Sequence, residues 1–280
     1  MIKTIAIAGA GTMGLGIAQV AAHAGYPTIL FDLNFLVLEK ASSNIKNSLK
    51  YLSNKGNISS LQASAIFDHI KFTTHLKDCT ADLIIEAIVE KIDAKVELFN
   101  RLAVLNCPKT IFATNTSSLS ISEIQDKITG PERVIGLHFF NPAPVMKLVE
   151  VVLGSRTSAV TISRIKTLCK ILNKTAVLCQ DAPGFIVNRV ARHYYLEAMQ
   201  LVQQGISSFE NVDAIMEATG FKMGPFKLMD LIGMDINLAV TKSLYDAFDK
   251  APRFAPSSLQ IDKVNSGELG KKTGKGFYTY

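Results

Sequence analysis

The chain of 280 residues is long enough for one large domain or two ordinary ones, each with a real core. At 48% apolar and 19% charged, with no repeat or low-complexity tract, it is neither disordered nor collagen-like. Thirty Lys and Arg against 24 Asp and Glu leave a net charge of +6, but no dense basic stripe with interleaved aromatics points to nucleic acid.

No apolar run approaches the roughly 18 residues of a membrane helix, so no membrane partner is expected. The second residue already opens a strand and no secretory leader precedes it, which makes the cytoplasm the expected location. Cys79, Cys107, Cys169 and Cys179 are far apart. They form neither a disulfide framework nor a zinc site, so no metal is expected and a reducing compartment fits.

In chain order, β-branched apolar runs at Thr4–Ala8, Thr28–Phe31, Leu83–Ala87, Thr110–Ala113 and Val134–Phe139 alternate with helical patterns. That alternation predicts a Rossmann-type, doubly wound α/β sheet with helices on both faces. Between the second strand and Asp82 the spacing predicts a helical hairpin insert. Its first helix carries Leu38, Ala41, Ile45, Leu49 and Leu52 at helical intervals and stops at Lys55-Gly56. The segment 34–77 holds six lysines against Glu39 and Asp68, a local excess of four positive charges. Two more strands are predicted at Lys147–Val152 and Ala176–Cys179. After Pro183-Gly184 the pattern turns helical, with helices expected over Ile186–Gln204, Phe209–Thr219 and Leu228–Phe248. The chain therefore reads as a dinucleotide-binding domain, 1–184, and an all-helical C-terminal domain, 185–280.

Gly9-Ala10-Gly11-Thr12-Met13-Gly14 lies between the first strand and the first helix. A Gly-x-Gly-x-x-Gly alone is a weak signal, but here its context is right on each side. Gly9 permits a tight turn, Gly11 lets the backbone approach a pyrophosphate, and Gly14 lets helix and strand pack closely. The helix N-terminus then offers its free N–H groups to phosphate. Asp32 ends the second strand, where a carboxylate can accept from the adenosine ribose and would repel a 2′-phosphate. No Arg follows it closely in sequence, so NAD is expected rather than NADP.

Ligands of such sheets bind beyond the carboxyl ends of the strands. Glu86, Glu90, the run Thr114–Ser118, His138 and Asn141 all fall there. If Asn141-Pro142-Ala143-Pro144 is the turn of an antiparallel pair centred on Pro144, Glu150 lies opposite His138 on the same face. A carboxylate on one imidazole nitrogen fixes the tautomer and leaves the other nitrogen for a substrate proton. The same spacing also fits an unrelated Glu in a β-ribbon, and register alone does not choose.

Three strings carry a more specific signal: Asn115–Ser118, Gly136–Val151 and Asp181–Arg189. With Met223–Phe226, Asp230–Gly233 and the closing Lys272–Tyr278, they resemble the (S)-3-hydroxyacyl-CoA dehydrogenase family along essentially the whole chain. The compact length is most similar to the single-function bacterial 3-hydroxybutyryl-CoA dehydrogenases, without the hydratase domain of fused fatty-acid oxidation enzymes. The resemblance implies that His138 is the general acid/base and Glu150 its paired carboxylate. It also implies that Ser117 holds the substrate oxygen and Asn188 contacts substrate from the second domain. Glu90, Lys95 and Asn115 would line the nicotinamide and its ribose, and Ser48 and Lys55 would contact the CoA moiety. Seven residues apart on a helix, Ser48 and Lys55 share one face. Two departures, His193-Tyr194-Tyr195 and Met234, lie outside the catalytic strings.

The implied activity is NAD-dependent interconversion of a 3-hydroxyacyl-CoA, 3-hydroxybutyryl-CoA in the first place, with its 3-oxoacyl-CoA. The implied partner is a second copy of the chain, paired through the helical domain. Two other readings stand beside it: a dehydrogenase of a free hydroxy or sugar acid, which would not need Ser48 and Lys55, and a non-catalytic NAD-binding protein on the same fold.

Overall fold

A computed structural model describes residues 1–280. The chain divides into two compact units, Met1–Ala182 and Pro183–Tyr280. In the first, β1 (Ile5–Ala8), α1 (Thr12–His23) and β2 (Thr28–Phe31) are followed by the insert helices α2 (Phe35–Asn54) and α3 (Ser60–Asp68). Each insert helix starts on a side-chain cap. Asn34 accepts from the Leu36 N–H, and Ser59 with Gln62 forms a reciprocal capping box.

The insert then departs from the expected pattern. Ile70–Thr73 is a strand, β3, that adds to the edge of the sheet beside β2 in parallel. Four residues are too few for a period-2 signal to stand out against the helical residues before them.

The sheet continues with β4 (Leu83–Glu86), α4 (Ile92–Leu105), β5 (Ile111–Thr114), α5 (Ile121–Asp126), β6 (Val134–Phe139), β7 (Leu148–Leu153), α6 (Ala159–Ile171) and β8 (Thr175–Gln180). The eight strands take the order β3-β2-β1-β4-β5-β6-β7-β8. All neighbours run parallel except β6 and β7, which are antiparallel across the Asn141–Pro144 turn. Strand residues alternate between faces. Ile111, Ala113, Ile135, Leu137, Val149 and Val151 join the core that includes α1, α2 and α6. Phe112 points the other way, where its ring meets Phe99 of α4 at 5.3 Å. Helices thus cover both faces, as a mostly parallel sheet requires.

The second unit comprises α7 (Val187–Gln203), α8 (Phe209–Ala218), α9 (Pro225–Ile232), α10 (Met234–Ala247) and α11 (Ser258–Asn265). The expected helix Leu228–Phe248 is broken at Gly233, whose φ of +101° is a conformation L side chains rarely adopt. The helix at Ser258–Asn265 was not expected from the sequence; Ser257 and Gln260 cap it reciprocally.

Two buried carboxylates tie this unit together. Asp213 accepts from the Phe226 and Lys227 N–H groups and from the Tyr278 hydroxyl, at 2.8, 3.0 and 2.8 Å. Asp230 accepts from the Phe277 and Tyr278 N–H groups and the Tyr280 hydroxyl, at 3.0, 2.9 and 3.1 Å. Cβ atoms added at Gly224, Gly270 or Gly276 would overlap these two residues. Gly224, Gly270 and Gly276 are therefore explained by close packing against Asp213 and Asp230. No helix in the chain is long and apolar enough to cross a membrane.

Candidate active site

The Gly-rich loop joins β1 to α1. A Cβ on Gly14 would overlap the Gly9 carbonyl oxygen, and one on Gly9 would press on the Ala87 carbonyl group. Gly11, the N-cap of α1, meets nothing within 4 Å. Two glycines are thus required by packing, while the third faces open space where a pyrophosphate could approach the helix N-terminus. Thr12 and Met13 form the first helical turn.

Asp32 pins the loop: its carboxylate accepts from the Ala10 N–H at 2.9 Å and from the Asn34 N–H at 2.9 Å. Four lone-pair sites leave it capacity for a ribose hydroxyl as well. Gly9, Gly11 and Asp32 line one groove of about 490 Å³, with Val37, Val89 and Leu98 as apolar wall. Those residues fit the adenosine half of a dinucleotide. Although no Arg follows Asp32 closely in sequence, α4 brings Arg101 into the same groove, where it lies 3.7 Å from Glu97.

At the carboxyl ends of β4 and β5 a buried charge cluster appears. Lys95 is 1% exposed, and its ammonium lies 2.6 Å from Glu86 and 3.1 Å from Glu90. Glu86 also accepts from the Thr114 hydroxyl at 2.8 Å and from the Ile88 N–H at 2.7 Å. Burial pushes the Glu86 carboxyl up, against the pull of Lys95, Thr114 and Ile88. For Glu90, burial is outweighed by Lys95, the Thr116 hydroxyl and the Ser117 N–H, which hold it below the usual carboxylate range. Glu90 accepts from the Thr116 hydroxyl, the Ser117 N–H at 3.0 Å and the Ser118 hydroxyl at 3.2 Å. It thereby shapes the loop that presents Ser117. Asn115 accepts from the Phe139 N–H at 2.9 Å and so ties the end of β5 to the end of β6.

Glu86 as a partner of Lys95 was missed from sequence. A signal existed: Lys95 sits in the buried stripe of α4 with Leu98, Phe99 and Leu102. A lysine in such a stripe calls for a carboxylate at the adjoining strand end.

β6 and β7 pair with His138 opposite Glu150, the register centred on Pro144. Since Leu137, Phe139, Val149 and Val151 face the α1 side, His138 and Glu150 share the opposite face. His138 Nδ1 lies 2.7 Å from a Glu150 carboxylate oxygen, with the two residues 7% and 1% exposed. The carboxylate can only accept, so the ring proton between them rests on Nδ1. Phe140 packs beside the imidazole at 4.5 Å between ring centres.

Ser48, on α2, accepts from the Gln19 side chain at 3.0 Å and keeps its own hydroxyl proton. Lys55 caps the end of α2 and is exposed, its ammonium 5.8 Å from the Tyr51 ring centre. Asn188 stands in the first turn of α7, in the second unit.

Residues 4–182 match the 3-hydroxyacyl-CoA dehydrogenase NAD binding domain, and residues 184–280 match the C-terminal domain of the same enzymes. The chain belongs to the 3-hydroxyacyl-CoA dehydrogenase family. Within that family it is 43% identical, over all of its length, to a 3-hydroxyadipyl-CoA dehydrogenase of Escherichia coli, of which it spans 59%. It is 40% identical to a 3-hydroxybutyryl-CoA dehydrogenase of Clostridioides difficile, covering 99% of each chain. The crystal structure of an (S)-3-hydroxybutyryl-CoA dehydrogenase from Ralstonia eutropha superposes with a TM-score of 0.95 at 36% identity, covering 100% of this chain and 99% of that one.

Proposed function

We propose that the chain is an NAD-dependent oxidoreductase that interconverts an (S)-3-hydroxyacyl-CoA, 3-hydroxybutyryl-CoA in the first place, with its 3-oxoacyl-CoA. The observation that carries this reading is the His138–Glu150 pair at the carboxyl end of β6, in a chain of this family. NAD, when bound, accepts hydride from C3 in oxidation and returns it in reduction. His138 Nε2 takes the 3-hydroxyl proton in oxidation and gives it back to the forming alkoxide in reduction. Glu150 holds the ring in the tautomer that permits this and stabilises the imidazolium. Such proton transfer contributes on the order of 10²–10⁴ in rate, and alignment of the reactants contributes more.

Ser117 is assigned the substrate oxygen, and Asn188 a substrate contact from the second unit. Gly9, Gly11, Thr12, Met13, Gly14 and Asp32 are assigned the adenosine and pyrophosphate, with Glu90, Lys95 and Asn115 on the nicotinamide side. The CoA moiety is assigned to Ser48 and Lys55, whose segment carries the excess of lysines. An acyl-CoA thioester is the small-molecule partner, and a second copy of this chain the protein partner.

The test is His138→Ala. NADH should bind as in the wild type while nearly all turnover of acetoacetyl-CoA is lost. Retained turnover would remove His138 from the mechanism. Lys55→Ala separates this reading from a dehydrogenase of free hydroxy acids: KM for the thioester should rise, whereas for a free-acid enzyme it would stay put.

A further inference from the structure

Away from the His–Glu pair, four lysines meet at one place in the first unit. β7 runs antiparallel to β6 and β8 runs parallel to β7, so both begin at the end of the sheet where β6 stops. Lys147 immediately precedes β7, and Lys174 immediately precedes β8. Lys166 and Lys170 lie four residues apart on the last turns of α6, hence on one face. These four, with Asn173, line an open pocket of about 300 Å³ that no carboxylate lines. None of the four takes part in an ion pair, whereas twelve other pairs form elsewhere in the chain, several of them through exposed lysines.

Lys174 is the anchor. It is 9% exposed, and its ammonium donates to the Ala143 and Met146 carbonyls at 2.5 and 2.7 Å. An ammonium has three protons, so one donor remains. Burial and the nearby Lys147 both push the Lys174 pKa down, which marks uncompensated positive charge at this spot. The favourable position of Lys170 in a last helical turn accounts for one of the four. It does not account for Lys166 one turn earlier, nor for a nearly buried lysine without a counter-charge.

A chain of contacts links Lys174 to an element given to CoA. Ala143, whose carbonyl Lys174 holds, packs on Gly16 of α1, where an added Cβ would come within 3.2 Å of it. One turn along α1, Gln19 holds Ser48.

We infer that the pocket formed by Lys147, Lys166, Lys170 and Lys174 is an anion subsite that takes a phosphoryl group. Its buried lysine supplies one fixed donor and its exposed lysines supply the field. Two sources share this chemistry: the phosphates of a CoA thioester, which rests on the function proposed above, and a separate phosphorylated small molecule.

The variant that tests it is Lys166→Ala with Lys170→Ala, both exposed and outside the catalytic set. Inorganic pyrophosphate is titrated calorimetrically into NADH-saturated protein, so that the dinucleotide site is filled. Pyrophosphate should bind the wild type, and the double variant should bind it about tenfold more weakly, the size of a lost charge-assisted hydrogen bond. No binding, or equal binding by both proteins, would overturn the inference. Steady-state kinetics then identify the source. A raised KM for acetoacetyl-CoA, with KM unchanged for the acetoacetyl thioester of N-acetylcysteamine, which lacks every phosphate, assigns the pocket to CoA. Unchanged KM for both, with pyrophosphate affinity lost, assigns it to a separate phosphorylated ligand. Absence of turnover with any thioester would sink the proposed function and leave the calorimetric result standing.

Discussion

Removing Lys95 leaves the Glu86 carboxylate, 0% exposed, without its ammonium partner at 2.6 Å. Breaking one side of a buried ion pair costs about 3–5 kcal/mol at a pH where the survivor stays charged. For a unit of this size, about 2–4 °C of melting temperature accompanies each kcal/mol, so Lys95→Met should lower the midpoint by about 6–20 °C near neutrality. The deficit should depend on pH in a definite direction. Burial already raises the Glu86 carboxyl above its ordinary 4.5 in the native protein, and loss of Lys95 raises it further. A carboxyl raised on folding contributes stability below its unfolded value and loses it as pH climbs through the folded one. The deficit of the variant should therefore be smaller at about pH 5 than at about pH 8, because Glu86 can take up a proton. Replacing both charges, Glu86→Gln with Lys95→Met, should recover most of the loss. Thermal unfolding by circular dichroism at the two pH values is the assay, since the chain has no Trp. A midpoint within about 2 °C of wild type at both pH values, on the scale of under 1 kcal/mol, would refute the reasoning. So would a deficit that shrinks as pH rises.

Three further outcomes follow from the geometry. Glu150→Gln keeps the shape beside His138 Nδ1 but removes the charge that stabilises the imidazolium; turnover should fall by about tenfold or more with NADH affinity unchanged, while a loss confined to thermal stability would make Glu150 structural only. Gly14→Ala should misfold or fail to express because the new methyl overlaps the Gly9 carbonyl oxygen, whereas Gly11→Ala, which meets nothing within 4 Å, should keep the wild-type melting temperature and lose NADH affinity. In the second unit, hydrogen bonds from Lys263 and Lys275 hold the Glu268 carboxyl down at about 2; that contribution is present above the ordinary 4.5 and lost as pH falls toward about 2, so Glu268→Gln should flatten the decline of melting temperature with acidity, and an unchanged slope would show that the pairing has no effect on stability.

The parts of the site legible in the sequence are those governed by local arithmetic. Gly9, Gly11 and Gly14 announce a turn of fixed geometry between a strand and a helix, and α1 does begin at Thr12. The pairing of His138 with Glu150 needed only a turn centre at Pro144, because residues equidistant from a turn face each other. What stayed hidden depends on contacts between segments. Lys95 is singled out by the family resemblance, but its partner Glu86 emerges only when the crossover from β4 to α4 brings the two together. Arg101 reaches the Asp32 groove only because β4 lies beside β1 in the sheet.

The second half shows the same division. Gly233 sits inside an apolar helical pattern that tolerates a lone glycine, so the break between α9 and α10 carries no local mark. Asp213 and Asp230 look like solvated helix residues, yet both are buried acceptors that hold the closing segment in place. The strings Met223–Phe226 and Lys272–Tyr278 mark the family in sequence; the structure explains Gly224 and Gly276 as clearance for these two carboxylates, and Gly274 by its φ of +76°.

The central claim is best met by direct assay of acetoacetyl-CoA reduction, followed by loss of reduced-cofactor absorbance, with NADH and NADPH compared side by side. Fast oxidation of NADH with NADPH poor, abolished by His138→Ala, is the result the account predicts. Equal or better use of NADPH would overturn the role given to Asp32, and no turnover with either cofactor would contradict the thioester chemistry itself.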